Sequence, residues 1–304
     1  MTMPIDASSG PIKLPKISIV TPSFNQAQYL EQTIRSVLDQ NYPNLEWIVV
    51  DGGSKDGSVD LIRKYEKHFA WWVSEKDRNH PHALNKGCEK VTGEIFAFVN
   101  SDDLLEPGAL HYTARAFQNP QVNWIVGWAK YFDNSGDEWV YGPQKIDRAI
   151  DWFLHNPIPQ ISSFWRTQAF ARVGLFTEKY LWSFDYEYWM RLHFVAGWTP
   201  VYVRRCLGDF RLHDQSKTVS KPGNYIPDNI ALHKEYGKYL TGAQRKRLAI
   251  EAKRLQASRA RSAAWEALKK KDVKSARRYA MDSVKAAALS KESWRAVYSA
   301  VRGR

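Results

Sequence analysis

The run Ile95-Phe96-Ala97-Phe98-Val99 constrains this chain more than any other five residues in it. No polar side chain interrupts it, so as a strand it has to be covered on both faces. Such a strand belongs inside a sheet with helices above and below. Asn100-Ser101-Asp102-Asp103 follow at once. In an open α/β sheet, ligands sit beyond the carboxyl ends of the strands, so two carboxylates there face a crevice where a phosphate-bound metal can lie. The competing reading is a turn that N-caps the helix opened by Pro107, a role that needs only one acid.

The residues before that run alternate between strand and helix. Ile17 to Val20 reads as a strand stopping at Thr21-Pro22-Ser23, and Leu30, Ile34, Val37 and Leu38 mark a helical period from Tyr29 to Leu38. A second strand, Leu45 to Val50, ends at Asp51-Gly52-Gly53-Ser54, where glycines permit a tight turn. A helix from about Ser58 to Lys67, a short strand at Trp71-Trp72-Val73 and a helix from about Pro81 to Lys90 complete the series. This alternation predicts an α/β fold, a mostly parallel sheet with helices on both faces. The turn after the first strand lacks G-x-G-x-x-G, and no Walker-type loop exists, which excludes both of those ways of cradling phosphate. The charge of any bound nucleotide then falls to a metal on Asp102-Asp103.

With 304 residues and 44% hydrophobic content, the chain can bury a full core and carry an appendage. Its two cysteines, Cys88 and Cys206, match no metal-ligand spacing and are too few for a disulfide framework, which fits a reducing compartment. Residues 1–15 lack the apolar core of a signal peptide, and no run approaches a membrane span, so a cytoplasmic location is expected. The net charge of +12 is unevenly placed: residues 229–304 hold 20 Lys and Arg against 6 Asp and Glu, leaving 24 against 26 for the rest. Proline is absent from that tail, and its Ala, Lys, Arg and Leu favour helix. Ala264 and Leu268, then Val273, Ala276, Ala280 and Val284, trace apolar stripes on either side of Lys269-Lys270-Lys271-Asp272 and predict a helical hairpin. Trp294, Val297, Tyr298 and Val301 form a last short stripe. A single hairpin cannot bury its face alone, so it should pack on the main domain or on another protomer as a homo-oligomer. Its charge suits nucleic acid, anionic lipid or an acidic partner.

Four motifs then occur in order. They are Ile17-Ser18-Ile19-Val20-Thr21-Pro22-Ser23-Phe24-Asn25, Val50-Asp51-Gly52-Gly53-Ser54-Lys55-Asp56-Gly57-Ser58, Asn85-Lys86-Gly87 and Asn100-Ser101-Asp102-Asp103. Pro159-Gln160, Phe164-Trp165-Arg166, Phe184-Asp185-Tyr186-Glu187 and Phe210-Arg211-Leu212-His213 continue the series. Over roughly residues 15–220 the chain resembles the family 2 glycosyltransferases, which are inverting, usually metal-dependent enzymes of GT-A fold. The resemblance implies a flexible start (1–15), a GT-A catalytic domain (16–228) with its donor half at about 16–120 and its acceptor half at about 121–228, and a basic helical appendage (229–304). One departure is Asn79-His80-Pro81-His82, where many members carry a Gly and an acidic residue.

The resemblance also implies roles. Thr21, Pro22, Ser23 and Asn25 fall in the nucleoside-lining segment. Asp51 is placed to accept the N3–H of a pyrimidine base, the alternative being an aspartate that only fixes the Gly52-Gly53 turn. Asp77 and Arg78 fall near the base or phosphates, or else form a local ion pair. Lys86 offers a cation to phosphate, or is a solvated lysine on a helix face. Ser101 falls among the donor-binding residues, Asp102 lies toward the ribose, Asp103 ligates Mn²⁺ or Mg²⁺, and His213 completes the metal site or is a satisfied histidine on the strand Leu207–Leu212. Asp185 is the base: Trp189 and Leu192 recur behind it with a helical period, which sets it in a first turn with its carboxylate toward the cleft, and Glu187 is the weaker candidate. The strand Asn123 to Phe132, the turn Asp133 to Asp137 and the return Glu138 to Tyr141 would floor an acceptor cleft, while Trp152, Trp165, Trp182 and Trp189 offer faces for sugar stacking.

The function so implied is transfer of a sugar from a nucleotide-sugar donor, a UDP-sugar first, to a hydroxyl on a saccharide or lipid-linked acceptor in surface polysaccharide or glycolipid synthesis. The appendage would make peripheral contact with an anionic membrane, and nucleic acid is not the expected ligand. The rival is a non-catalytic carbohydrate- or nucleic-acid-binding protein that retains the fold.

Overall fold

The computed structural model describes residues 14–143, 146, 148–220 and 224–302. Most of the flexible start expected at residues 1–15 lies outside them. The described chain divides into two units, Met1–Lys145 with Pro157–Lys234, and Ile146–Asn156 with Glu235–Arg304.

In the first unit the alternation is realised as β1 (Ile17–Ser23), α1 (Ala27–Leu38), β2 (Leu45–Asp51), α2 (Ser58–Tyr65), β3 (Trp71–Ser74), α3 (His80–Cys88) and β4 (Ile95–Phe98). Then come β5 (Leu104–Leu105), α4 (Ala109–Ala116), β6 (Trp124–Asp133), β7 (Glu138–Tyr141), β8 (Ser163–Arg166), α5 (Gln168–Val173), α6 (Phe184–Phe194), β9 (Val201–Leu212), α7 (Lys217–Ser220) and α8 (Tyr225–Tyr236). Every residue of β1 and β4 is buried, as strands covered on both faces require.

The sheet runs β3-β2-β1-β4-β8-β6-β9-β5, with β7 paired to β6 outside that path. The strands β3, β2, β1 and β4 are mutually parallel. Beyond β4 the sheet is mixed: β8 runs antiparallel to β4 and to β6, whereas β9 runs parallel to β6. The expected mostly parallel sheet therefore holds for the first half only, because each strand there returns through a helix, while β6 and β7 return through a hairpin turn. The parallel half puts the carboxyl ends of β1, β2 and β4 on one edge.

Gly87 shows why a glycine closes the Asn85-Lys86-Gly87 motif: a Cβ there would lie 2.5 Å from Val20 Cγ1, so only glycine lets α3 approach β1 this closely. At the opposite edge, Glu46 ties the sheet to the lead into β4. Its carboxylate accepts from Ser18 Oγ (2.5 Å), from Thr92 N (2.7 Å) and Oγ1 (2.5 Å), and pairs with Lys16 Nζ at 2.6 Å. Burial alone would raise its pKa, but those bonds outweigh burial and hold it at about 2, below its ordinary 4.5. The stability it adds is complete above the ordinary value and is lost as the pH falls toward about 2. We expect Glu46→Gln to cost about 1–3 kcal/mol at neutral pH and to flatten the acid-side fall of the melting temperature. Equal acid sensitivity in variant and wild type would rule this account out.

The second unit contains a 3-10 turn, Ala149–Phe153, and three helices, α9 (Gly242–Lys269), α10 (Val273–Ala286) and α11 (Lys291–Arg302). A capping box, in which Thr241 and Gln244 satisfy each other's backbone N–H, starts α9, and Asp272 caps α10. The hairpin expected around Lys269 to Asp272 is formed, and α11 packs on both its helices through a core of Ala264, Ala267, Ala276, Ala280, Ala296 and Ala300. Alanines let the helix axes approach closely.

Candidate active site

Three turns meet at the carboxyl edge of the parallel strands. Asp51 builds the middle one: Oδ2 accepts from Gly53 N (3.0 Å), Ser54 N (2.9 Å) and Ser74 Oγ (2.7 Å), and Oδ1 from Ser54 Oγ. Its exposure is 0%, so a base reaches Oδ1 only if the Ser54 hydroxyl swings away. Of the two readings open in the sequence, the turn-building one is realised here. Asn25 joins this turn to the end of β1: it adopts a φ of 52°, its N–H donates to Ser54 Oγ (2.8 Å) and its Oδ1 accepts from Lys55 N (2.9 Å).

Beside these turns opens a cleft of about 760 Å³ lined in part by Phe24, Gly52, Lys55, Ser74 and Asp77. Phe24 is 61% exposed, and a Cβ on Gly52 would stand 3.1 Å from its ring and 3.2 Å from Asp77 Oδ2. Glycine therefore lets an aromatic ring and a carboxylate both approach this turn closely. Sequence reasoning passed over Phe24, although a large aromatic directly after a strand end in a polar turn was a usable signal. Of its neighbours, Thr21 points into the core, where Oγ1 accepts from Trp47 Nε1 at 3.0 Å, and Pro22 is buried. Ser23 is buried with an Oγ that has no partner.

Asp77 and Arg78 do not pair with each other. Lys86 Nζ lies 2.6 Å from Asp77 Oδ1 and 2.7 Å from Glu75, and His82 Nδ1 stands 3.2 Å from Asp77. Burial pulls the Lys86 pKa down, but the two carboxylates outweigh it and raise it. Lys86 is thus the buttress of Asp77 and no solvated lysine. Arg78 is exposed and bonds Glu178 through Nε (3.1 Å) and Nη2 (2.5 Å), clamping the loop before α3 to the segment before α6.

The two carboxylates after β4 separate completely. Asp103 is 1% exposed; Oδ1 accepts from Arg211 N (3.0 Å) and Oδ2 from Asn100 Nδ2 (3.0 Å). Burial, and then the charge of Asp102, push its pKa well above the usual carboxylate range. Asp103 therefore knits β4 to β9, and its place as metal ligand is not supported by this geometry, since both oxygens are engaged and enclosed. Asp102 faces outward: its side chain is 17% exposed, Oδ2 lies 3.0 Å from His213 Nε2, and Gln26 Nε2 donates at 3.4 Å. Tyr29 packs on His213 with ring centroids 4.5 Å apart, and Arg211 Nε donates to Asp102 O at 2.9 Å. Ser101, between the two motifs' polar ends, is buried.

An oxygen and an imidazole nitrogen converging at an otherwise polar edge fit a divalent cation. Two buried atoms nearby, Ser23 Oγ and Gln26 Oε1, have no partner, as expected where a polar ligand binds. A second cluster, Glu106, Cys206 and Asp209, brings ligand atoms within 4.8 Å of one another, but Lys130 Nζ stands 3.3 Å from Glu106 and 3.0 Å from Asp209. A resident ammonium already pairs with both carboxylates.

Asp185 sits in the first turn of α6, and its Oδ1 accepts from Tyr186 N at 2.7 Å. The start of α6 is anchored by α8, where Asp228 Oδ2 accepts from Trp182 N (2.8 Å) and Ser183 N (3.3 Å), and Ser183 Oγ donates to Asn229 at 2.8 Å. Burial and, to a smaller degree, the charges of Tyr141, Asp103 and Asp185 raise the pKa of the Tyr131 hydroxyl, so this strand faces the same region. Glu187 is withdrawn: it is 4% exposed and holds Arg191 at 2.9 and 2.7 Å.

The hairpin of β6 and β7 forms as expected, with Trp139 stacked on Tyr131 at 5.8 Å and 47% exposed. Of the indoles nominated for stacking, Trp152, Trp165 and Trp189 are wholly enclosed, and Trp182 is half-buried. Aromatic count alone cannot separate core from surface.

Comparison with known proteins gives this edge its context. The family model described as glycosyl transferase family 2 matches residues 18–176. A putative teichuronic acid biosynthesis glycosyltransferase of Bacillus subtilis, TuaG, is 40% identical over 217 residues, 68% of this chain and 83% of that protein. A glycosyltransferase of Rickettsia typhi is 27% identical over 236 residues, 75% of this chain and 73% of its own. Among solved structures, residues 1–349 of S. aureus TarS in complex with UDP-GlcNAc superpose with a TM-score of 0.61 at 14% identity, covering 95% of this chain and 92% of that one. Against the longer TarS structure, this chain spans 53% of the length. The mannosyltransferase PcManGT of Pyrobaculum calidifontis, in complex with GDP-Man and Mn²⁺, gives 0.54 at 17% identity, with 98% and 90% covered. At these identities the superpositions speak to fold, and the fold is that of GT-A glycosyltransferases. Family match, relatives and fold agree: this chain is an enzyme of glycosyltransferase family 2.

Proposed function

We propose that the protein is a metal-dependent inverting glycosyltransferase that moves a sugar from a UDP-sugar to a hydroxyl of a saccharide or lipid-linked acceptor in cell-surface polysaccharide synthesis. The observation that carries this reading is the 3.0 Å approach of His213 Nε2 to Asp102 Oδ2 at the edge that also holds the Phe24 cleft. Asp102 and His213 would hold Mn²⁺ or Mg²⁺, which when bound would supply the positive charge that neutralises a diphosphate leaving group. The reading moves the metal from Asp103 to Asp102 and leaves Asp103 as the support that fixes the turn.

The base lies on the exposed face of Phe24 in the adjoining cleft, with Asp77 at its edge and Ser23 offering its unpartnered hydroxyl to the nucleoside. Uracil suits that face as a flat ring with a polar edge. TuaG, at 40% identity, supports the polysaccharide setting, and the UDP-GlcNAc bound by TarS supports the donor class.

On the acceptor side, Asp185 takes the proton of the attacking hydroxyl, one carboxylate being enough for a single displacement that inverts the anomeric carbon. Asp228 and the start of α8 keep it in place.

The test is a thermal-shift screen of UDP, GDP and CDP with and without Mn²⁺. UDP with Mn²⁺ should raise the melting temperature most, by the stabilisation of about 2.7 kcal/mol that a ligand at 100 times its Kd confers. A shift of equal size without metal, or none with any nucleotide, would sink the reading.

A further inference from the structure

We infer that α11 and the turn before it form a docking face for the headgroup layer of an anionic lipid bilayer. The argument rests on the surface of the second unit alone and does not depend on the sugar-transfer reading.

The helix α11 has two unlike faces. Ser293, Ala296 and Ala300 are buried on α9 and α10. The other face carries Trp294, Tyr298 and Val301 at 53%, 56% and 59% exposure, spaced as one helical stripe. In the turn before the helix, Leu289 is 99% exposed. Trp294 Nε1 donates to Ala288 O at 2.8 Å, which pins the indole against the turn that carries Leu289. Single exposed apolar side chains are ordinary, but a row of three at helical spacing next to an exposed Leu289 is the mark of an interaction surface.

The same stripe is cationic. Lys291 precedes Trp294 by one turn, Arg295 precedes Tyr298, and Arg302 follows with its guanidinium 4.3 Å over the Tyr298 ring. The helix holds one acid, Glu292, which accepts from Ser290 Oγ at 2.7 Å. Around it, residues 229–304 carry 20 basic against 6 acidic residues. Positive charge fits an anionic surface, and the kind of apolar residue narrows the partner. Trp and Tyr settle at the level of lipid headgroups, while Leu and Val gain by reaching the acyl boundary and gain nothing from a nucleic acid backbone. Twelve residues of helix span only about 18 Å, against a hydrocarbon core of about 30 Å, so this face lies along the surface. Among the described residues, no helix is long and apolar enough to cross a membrane.

The test uses the full chain and vesicles of phosphatidylcholine with about one third phosphatidylglycerol, compared with phosphatidylcholine alone. Co-sedimentation should show binding to the anionic vesicles only, weakened as salt rises from about 0.1 M to about 0.5 M. Trp294→Ser with Tyr298→Ser should reduce the partition coefficient about tenfold or more, and Lys291→Glu with Arg295→Glu should do the same by charge. All four side chains are exposed, so unchanged melting temperatures are expected, and either pair suffices if the other fails to fold. Equal binding by wild type and both variants would overturn the proposal, as would no binding to anionic vesicles. A vesicle-free dimer that disappears in Trp294→Ser with Tyr298→Ser would give the face to a second copy, and competition by a single-stranded oligonucleotide would give it to nucleic acid; either result would also overturn it.

Discussion

Replacing Asp185 by asparagine is expected to lower kcat by about 10²–10⁴-fold, the range that loss of a general base costs, while donor affinity stays within about twofold. The amide keeps the size of the carboxylate and still accepts the 2.7 Å bond from Tyr186 N–H, so the start of α6 should hold. What it cannot do is take a proton from the acceptor hydroxyl. Glu187 is no substitute, because it is buried against Arg191 two residues further into the helix. Single-turnover kinetics with donor titration separates the two quantities. A variant that loses donor affinity and keeps its chemical rate would reassign Asp185 to holding substrate.

Asp102→Asn is expected to reduce kcat/KM by at least about 100-fold, some 2.7 kcal/mol of transition-state stabilisation, and to abolish the dependence of UDP binding on Mn²⁺. Asp103→Asn should do neither. Asparagine keeps the size and shape of the enclosed Asp103 side chain. Its oxygen can still accept from Arg211 N, and the cost should be one rearranged bond to Asn100, about 1–2 kcal/mol of stability. The pair of variants is informative because the residues are adjacent and chemically identical. Folded Asp103→Asn without metal-dependent binding, beside Asp102→Asn with it, would return the metal to Asp103. His213→Ala should follow Asp102→Asn, since the two side chains meet at 3.0 Å.

Period and punctuation settled much of the donor half in advance. The apolar run at Ile95 could only be an interior strand, and the helical spacing of Leu30, Ile34 and Val37 could only give α1 one buried face; both follow from burial needs that are local in sequence. The same holds for the tail, where proline-free, alanine-rich stripes on either side of Lys269 to Asp272 define two helices whatever they pack on. The position of Asp185 in a first turn was legible for that reason too. Motif order was enough to point to the family.

Orientation was not legible. Whether Asp102 or Asp103 looks outward depends on Arg211 N and Asn100 meeting one of them, and Arg211 arrives from a strand 108 residues away. Asp77 and Arg78 are neighbours in sequence, yet each finds its partner elsewhere, on Lys86 and Glu178, because α3 and the segment before α6 fold beside them. Which tryptophans are walls and which are surfaces was decided by packing alone: Trp165 is sealed between Phe96 and Trp189, and Trp139 is left open on a hairpin edge. Local sequence determined the elements and the chemistry they carry, since helix and strand are choices made over a few residues. Which atom of that chemistry meets solvent was decided only by contacts between strands far apart in the chain.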